Sequence, residues 1–390
     1  MKLVPKRRFK GFSGEWRMKK LGDAVEAFEY GLNVSATGYD GKNKYLRITD
    51  IDDETRVFNR GELTSPKVDF VNASDYLLQK GDILFARTGA SVGKTYHYRK
   101  TDGKVYFAGF LIRGRIRKTY NSEFIFQNTF SAEYRHFIKI TSQRSGQPGV
   151  NAQEYANYSL MIPSKEEQDK IGKLFNKIDQ SIGLAQSQLE KLHKMKQAYL
   201  HEMFPAEGES VPKRRFASFT GHWRRCKLKD AIFSEIKGIA KAEMRGTESK
   251  YLEVNYLNGG SKSYVDSPQD VDADDVLILW DGSQAGTVYH GFKGALGSTL
   301  KAYKPKYSGK FLYQFLKKNQ ALILQKYRTP NIPHVIKTFT DEFSIDLPCP
   351  EEQKAIGEFF GRLDRRITMQ EAKVEKLKAM KKAYLEEMFV

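Results

Sequence analysis

Cysteine is almost missing from this chain: Cys226 and Cys349 are the two in 390 residues. Two thiols make neither a disulfide framework nor a four-cysteine zinc site, which excludes a small cross-linked secreted scaffold and a zinc-ribbon module. Long apolar runs are missing as well. The longest stretches, such as residues 276–280, fall far short of the roughly 20 residues that a bilayer requires. The opening MKLVPKRRFKGF is basic but carries no apolar segment of a secretory leader. A reducing cytoplasmic setting without a membrane partner is therefore expected. Signatures of catalysis are equally scarce. There is no Asn-Pro-Pro-aromatic string of the kind adenine methyltransferases use, and no glycine-rich cofactor loop follows a strand. The 7 histidines show no metal-ligand spacing. Asp272, Asp274 and Asp275 lack a nearby lysine in the strand-borne arrangement of nucleases. The expectation is a binding protein, with no catalytic residue, metal or cofactor in this chain.

Positive charge is plentiful. Lysine and arginine number 65 against 47 aspartates and glutamates, a net charge of +18. Such an excess favours a polyanionic partner, with nucleic acid as the default. Hydrophobic residues at 40% and aromatics at 13% are enough for real cores. The length suggests two or three domains.

The chain repeats itself. Residues 162–204 return as residues 347–389, with roughly 20 of about 43 aligned positions identical, well above a chance match. Both copies open with a proline and a Glu-Glu-Gln triplet (Pro163, Glu166, Glu167, Gln168; Pro348, Glu351, Glu352, Gln353). They end in EKLHKMKQAYLHEMF and EKLKAMKKAYLEEMF. Apolar residues step by three and four along Ile171, Phe175, Ile178, Ile182, Ala185, Leu189, Leu192, Tyr199 and Met203. They do the same along Ile356, Phe360, Leu363, Ile367, Val374, Leu377, Tyr384 and Met388. This is a heptad seam that lets one helix lie along another. Two copies in one chain favour pairing with each other, antiparallel, because the intervening segment is large enough to turn back. Ser164 and Glu167 read as a capping box, and Pro350 suits a first helical position. Lys196 and Lys381 fall on the seam, where a lysine either fixes register or reaches past it into water.

A second phrase is also duplicated: VPKRRFKGFSGEWRMKKLGD from residue 4 and VPKRRFASFTGHWRRCKLKD from residue 211. Its aromatics read as packing residues. Its Lys-Arg-Arg clusters read equally as phosphate contacts or as solvated basic turns. The organisation expected is a first domain at 1–161, a long helix at 162–204, a polar linker at 205–210, a second domain at 211–346 and a second long helix at 347–390. The fold class is α+β: two similar mixed domains separated by two long antiparallel coiled-coil helices, a pseudo-two-fold internal repeat.

Within each domain a strand runs into a glycine turn. GDILFARTGASVGKT (residues 81–95) is one residue short of a phosphate-binding P-loop, and its counterpart DDVLILWDGSQAGTV (274–288) replaces Lys94 by Thr287. ATP binding is not expected. Two readings remain for the turn: a hairpin needing positive φ, or a loop whose tip approaches DNA. On the second reading the contact residues are Arg87, Thr88, Ser91 and Lys94 in the first half, with Ser283 and Gln284 in the second. A polar loop precedes each long helix and offers further base-reading groups: Arg144, Gln147 and Asn151, then Arg328, Asn331 and His334.

Taken together, the RF-x-x-F-x-G-x-W-x(4)-L-x-D opening, the GDILFARTGASVGK string and the P-x-x-EEQ-x-x-IG-x-x-F-x-x-x-D helix starts resemble the specificity subunits of type I restriction–modification systems, over nearly the whole chain. The resemblance implies two target-recognition domains held apart by antiparallel helices, each reading one half of a split, asymmetric site in double-stranded DNA. It implies a subunit without catalysis of its own. Two methyltransferase subunits would bring S-adenosylmethionine, and two motor-nuclease subunits using ATP and magnesium would join for restriction. Lys191, Lys194, Lys376 and Lys378, off the mutual seam, are the expected docking residues for partners. The rival reading is a stand-alone DNA-binding regulator braced by a coiled coil. If helix length sets the gap between half-sites, inserting one heptad before Glu190 will change the unspecified spacer and neither half-site. Methylation mapping that returned an unchanged spacer would refute this ruler.

Overall fold

The computed structural model describes residues 4–331 and 333–390. The chain forms two compact units, Met1–Gln186 with Lys373–Val390, and Ser187–Ala372. These units are not the two half-chains that the repeat suggests. Each takes the closing end of a long helix from the other half, because antiparallel helices place the end of one beside the start of the other.

In the first unit the strands Val25–Tyr30, Leu111–Ile116, Asp82–Ala86 and Thr95–His97 lie side by side, every neighbour antiparallel. The second unit repeats this sheet with Ile232–Lys237, Leu300–Pro305, Val276–Leu279 and Val288–His290. The central strands are apolar at successive positions because both of their faces are covered. Ile83 and Phe85 point to one core while Leu84 and Ala86 point to another. Val276 and Ile278 are likewise separated from Leu277 and Leu279. Helices fill one side, and small sheets the other. Among the latter, Lys44–Leu46 pairs in parallel with Val105–Phe107, and the end of Arg245–Leu252 with Ala295–Leu296.

A short antiparallel ladder then carries the chain into each long helix. Arg17–Lys20 pairs with Ser159–Ile162, and Arg224–Lys227 with Ser344–Leu347. The helices run over Lys165–Glu202 and Pro350–Met388. Their shared opening has a structural cause. Gln168 Nε2 donates to the Pro163 carbonyl at 3.0 Å, and Gln353 Nε2 to the Pro348 carbonyl at 3.0 Å. Each glutamine thereby ties the first turn to the residue that precedes it. The capping box is only half formed. Glu167 N–H donates to Ser164 Oγ at 3.4 Å, but the Glu167 carboxylate turns away to accept two hydrogen bonds from Arg8, each 2.7 Å. Arg215 makes the same bidentate pair with Glu352, again at 2.7 Å.

The arginines of the basic clusters have protein partners, while Lys6 and Lys213 remain exposed. Arg7 pairs with Glu387 and lies 5.3 Å from the centre of the Tyr384 ring, and Arg214 repeats both contacts with Glu202 and, at 5.4 Å, Tyr199. The arginines fasten the duplicated phrase to helix ends. The aromatics of that phrase are core residues, as expected. Trp16 packs with Phe124 and with Phe389, while Trp223 packs with Phe204 and Phe311.

Within each unit the helix segments run antiparallel. In the second, Tyr199 meets Phe359, Lys196 meets Asp364 at 2.6 Å, and Gln188 faces Gln370 at 3.1 Å. In the first, Phe175 meets Phe389 and Asp179 meets Lys381 at 2.7 Å. The seam is most buried near each helix start, where Ile171, Phe175, Ile178 and Ile182 also join the core of the domain above them, as do Ile356, Phe360, Leu363 and Ile367. Farther on, Leu189, Leu192 and Leu377 are only partly covered. The two seam lysines do not end in water; each is paired with an aspartate of the facing helix.

Glu167 is fully buried, so removing its partner leaves an uncompensated interior charge. Arg8→Ala is expected to destabilise the first unit by about 3 kcal/mol, and Arg8→Ala with Glu167→Gln to recover most of that loss. Denaturant unfolding of the variants measures both effects.

Candidate nucleic-acid interface

The two polar loops singled out in each half come together. In the first unit Thr88 bridges Gly149 in antiparallel fashion, Gly89 N–H donates to the Pro148 carbonyl at 2.9 Å, and Val150 N–H donates to the Arg87 carbonyl at 2.9 Å. In the second, Asp281 bridges His334, Gly282 N–H donates to Pro333 at 2.9 Å, and Val335 N–H donates to Trp280 at 2.9 Å. The backbone bonds that join the loops thus repeat in both units, and the side chains presented there differ. Arg87, Thr88 and Ser91 correspond to Trp280, Asp281 and Gln284.

The glycine string is fixed from behind. Gly93 has φ +81, and a Cβ there would lie 2.7 Å from Ile138. Its N–H donates to the Ala86 carbonyl at 3.0 Å and to Tyr155 Oη at 3.2 Å, and its carbonyl accepts from Tyr134 Oη at 3.1 Å. Tyr155 Oη in turn donates to the Ala86 carbonyl at 2.6 Å. Burial pushes both phenols above their ordinary range, so they remain protonated donors in neutral solution. After Gly93 the chain enters the strand Thr95–His97 rather than a helix, so the string lacks the helix N-terminus on which a P-loop depends.

The proposed contact residues fall into two groups. Gln147, Ser283, Gln284 and Asn331 are exposed, and Arg87, Thr88 and Ser91 are half-buried at the same rims. The Arg87 guanidinium lies 4.9 Å from the centre of the Tyr30 ring, a residue from the distant first strand of the sheet. The remaining side chains are committed to the fold. Lys94 turns inward to Asp53 and donates to the Ile51 carbonyl at 3.1 Å. Arg144 donates to the carbonyls of Thr141 and Gln143 at 2.7 and 2.9 Å and pairs with Glu154. Asn151 caps the helix Ala152–Ala156 by accepting from Glu154 N–H at 2.9 Å. Arg328 donates to the Ser283 carbonyl at 2.8 Å, and His334 Nδ1 meets Thr329 Oγ1 at 3.0 Å. These contacts shape the loops, although Arg144 and Asn151 themselves remain exposed.

Sequence reasoning missed Tyr30 and the environment of Trp280. Lys301 Nζ sits 3.7 Å from the centre of the Trp280 ring, and Lys237 pairs with Asp281 at 2.6 Å. Both lysines lie on strands whose pairing brings them to the loop. Of the helix lysines, Lys191, Lys194 and Lys376 are exposed, with Lys194 in an i,i+4 pair with Glu190. Lys378 is half-buried and donates to Glu54 at 2.8 Å. Among the described residues no group of three or more histidines, cysteines or acids is placed to hold a metal, and no helix is long and apolar enough to cross a membrane.

The profile of a family described as the type I restriction modification DNA specificity domain matches residues 13–194 and 223–379. The type I restriction enzyme MjaVIII specificity subunit of Methanocaldococcus jannaschii is 31% identical over 178 residues, covering 43% of this chain and 42% of that protein. This chain therefore spans less than half of that relative. The putative type I restriction enzyme MjaX specificity subunit of the same organism is 24% identical over 403 residues, covering 94% of this chain and 91% of the other. The crystal structure of a type I restriction–modification S subunit from M. genitalium shares the fold, with a TM-score of 0.73, 99% of each chain covered and 15% identity.

Gly93→Ala forces a side chain into both a disfavoured φ and the Ile138 side chain. It is expected to cost about 2 kcal/mol, whereas Gly146→Ala, with open space around it, is expected to be close to neutral. Thermal unfolding of the two variants distinguishes them.

Proposed function

Since the chain belongs to the type I restriction–modification DNA specificity family, we propose that its two units read the two unlike halves of one asymmetric DNA site, each through its paired loops. The observation that carries this reading is the duplicated backbone with divergent tips. Reading two different sequences with one architecture requires a constant frame and variable side chains at equivalent positions. The loop pair meets that requirement: Arg87, Thr88 and Ser91 in one unit stand where Trp280, Asp281 and Gln284 stand in the other. Arginine suits the O6 and N7 atoms of guanine, and an amide suits N6 and N7 of adenine. The net charge of +18 supplies the phosphate attraction that holds a reader on the duplex.

The protein acts without catalysis of its own. Two methyltransferase subunits dock on the exposed helix faces at Lys191, Lys194 and Lys376, bringing S-adenosylmethionine to an adenine in each half-site. Motor-nuclease subunits, with ATP and magnesium, complete the restriction complex. The supporting features are the three exposed lysines on faces turned away from the helix seam and the absence of recognised catalytic motifs.

Replacing residues 24–161 by the corresponding segment of another specificity subunit is expected to change one half-site and leave the other intact. Methylome sequencing reads the outcome, and a change in both halves would refute the modular assignment. Affinity for the cognate duplex will fall steeply with salt, by about 0.9 in log K per log unit of salt for each phosphate contacted.

A further inference from the structure

From the turn at residues 108–111 we infer that Phe110 is a base-reading residue of the first unit, packing its ring on the C5-methyl group of a thymine in the major groove. This rests on the reading above, that the paired loops of the first unit face one half-site.

Phe110 is 59% exposed, on a turn held by the backbone from both sides. Its carbonyl accepts from Arg87 N–H at 3.0 Å, Gly109 N–H donates to the Leu32 carbonyl at 2.7 Å, and Leu111 N–H donates to Ala108 at 2.9 Å. Behind it the chain at Gly31 approaches so closely that a Cβ would lie 2.3 Å from the Ala108 oxygen. The turn has no slack with which to fold the ring inward.

The second unit shows what the fold itself requires here. Thr299 carbonyl accepts from Trp280 N–H at 2.8 Å, Ser298 N–H donates to Ala240 at 3.0 Å, and Leu300 N–H donates to Gly297 at 2.9 Å. A Cβ on Gly238 would lie 2.1 Å from the Gly297 oxygen. This is the same turn, down to the glycine behind it, with an exposed threonine in place of the phenylalanine. A ring at this position is therefore not needed to build the turn.

A single exposed apolar side chain is ordinary on a protein surface. This one stands directly beside the loop pair. It is bonded through its backbone to Arg87, whose guanidinium lies over Tyr30, and the Tyr30 hydroxyl accepts from Ala152 N–H next to the second loop at 3.4 Å. Arginine and phenylalanine on adjoining rigid turns present a bidentate donor next to an apolar face. That combination fits a guanine beside a thymine, whose methyl group is the one apolar feature in the major-groove code.

The test is binding of the full chain, assembled with its methyltransferase subunits, to duplexes in which each thymine of the mapped first half-site is replaced in turn by deoxyuridine. Loss of one methyl contact is expected to weaken binding about fourfold at one of these positions. Phe110→Ser should bind the unmodified site about as weakly as the wild type binds that deoxyuridine duplex, and should no longer distinguish thymine from deoxyuridine there. Phe110→Leu should retain the discrimination, and responses to the second half-site should be unchanged in both variants. Wild-type indifference to every replacement, or a Phe110→Ser variant that still discriminates, overturns the assignment. Arg87→Ala separates the two levels. If it alters the first half-site while Phe110→Ser does not, only the phenylalanine inference fails; if neither alters it, the reading of this face fails as well.

Discussion

One partly buried aspartate in each unit holds three parts of the structure together. Asp179 accepts from Lys381 at 2.7 Å and from Gln127 Nε2 at 2.7 Å. It therefore joins its own helix to the facing one and both to the domain above. Asp364 repeats the arrangement with Lys196 at 2.6 Å and Gln314 at 2.7 Å. A helix seam of leucines and isoleucines tolerates sliding by a heptad, whereas a charge on the seam has one good partner. These pairs select the register, and register decides which phenylalanine closes which core. Phe389 packs against Phe124 and Phe175, and Phe204 against Phe311 and Phe360. The sheets and their loops stand on that choice.

Much of the fold is legible in the residues. The seam spacing predicts the long helices, and the repeated phrases predict two similar domains. Other features stayed hidden for physical reasons. A heptad pattern does not say which helix end completes which domain, so exchange between the half-chains is invisible in it. The Arg8–Glu167 pair spans 159 positions, and nothing local marks the arginine as a core ligand rather than a phosphate contact. Lys196 and Lys381 look like snorkelling residues until the facing aspartates are seen.

The same division runs through the loops. Glycine placement was readable because positive φ restricts residue choice. The fate of the polar side chains was not, because arginine, asparagine and lysine serve equally well as ligands for carbonyls and carboxylates nearby. Arg144 and Asn151 hold their own loop, and Lys94 holds the segment around Asp53. Beside them Gln147 is exposed, and Arg87, Thr88 and Ser91 are half-buried at the same rim. Tyr30 reaches that rim through a sheet whose strand order runs out of sequence order, so its role depends on topology rather than on any motif.

The exchange of helix ends also bears on how the protein is made. Residues 187–372 make up the second unit, and all of them precede residues 373–390 in the chain. The first unit begins earlier but lacks Lys381, Met388 and Phe389 from its interior until that last stretch is made. Translation from the N-terminus normally lets the leading domain fold first. Here the leading unit cannot close its core until Met388 and Phe389 are present, so a chain that ended before them would leave its first-made unit unfinished.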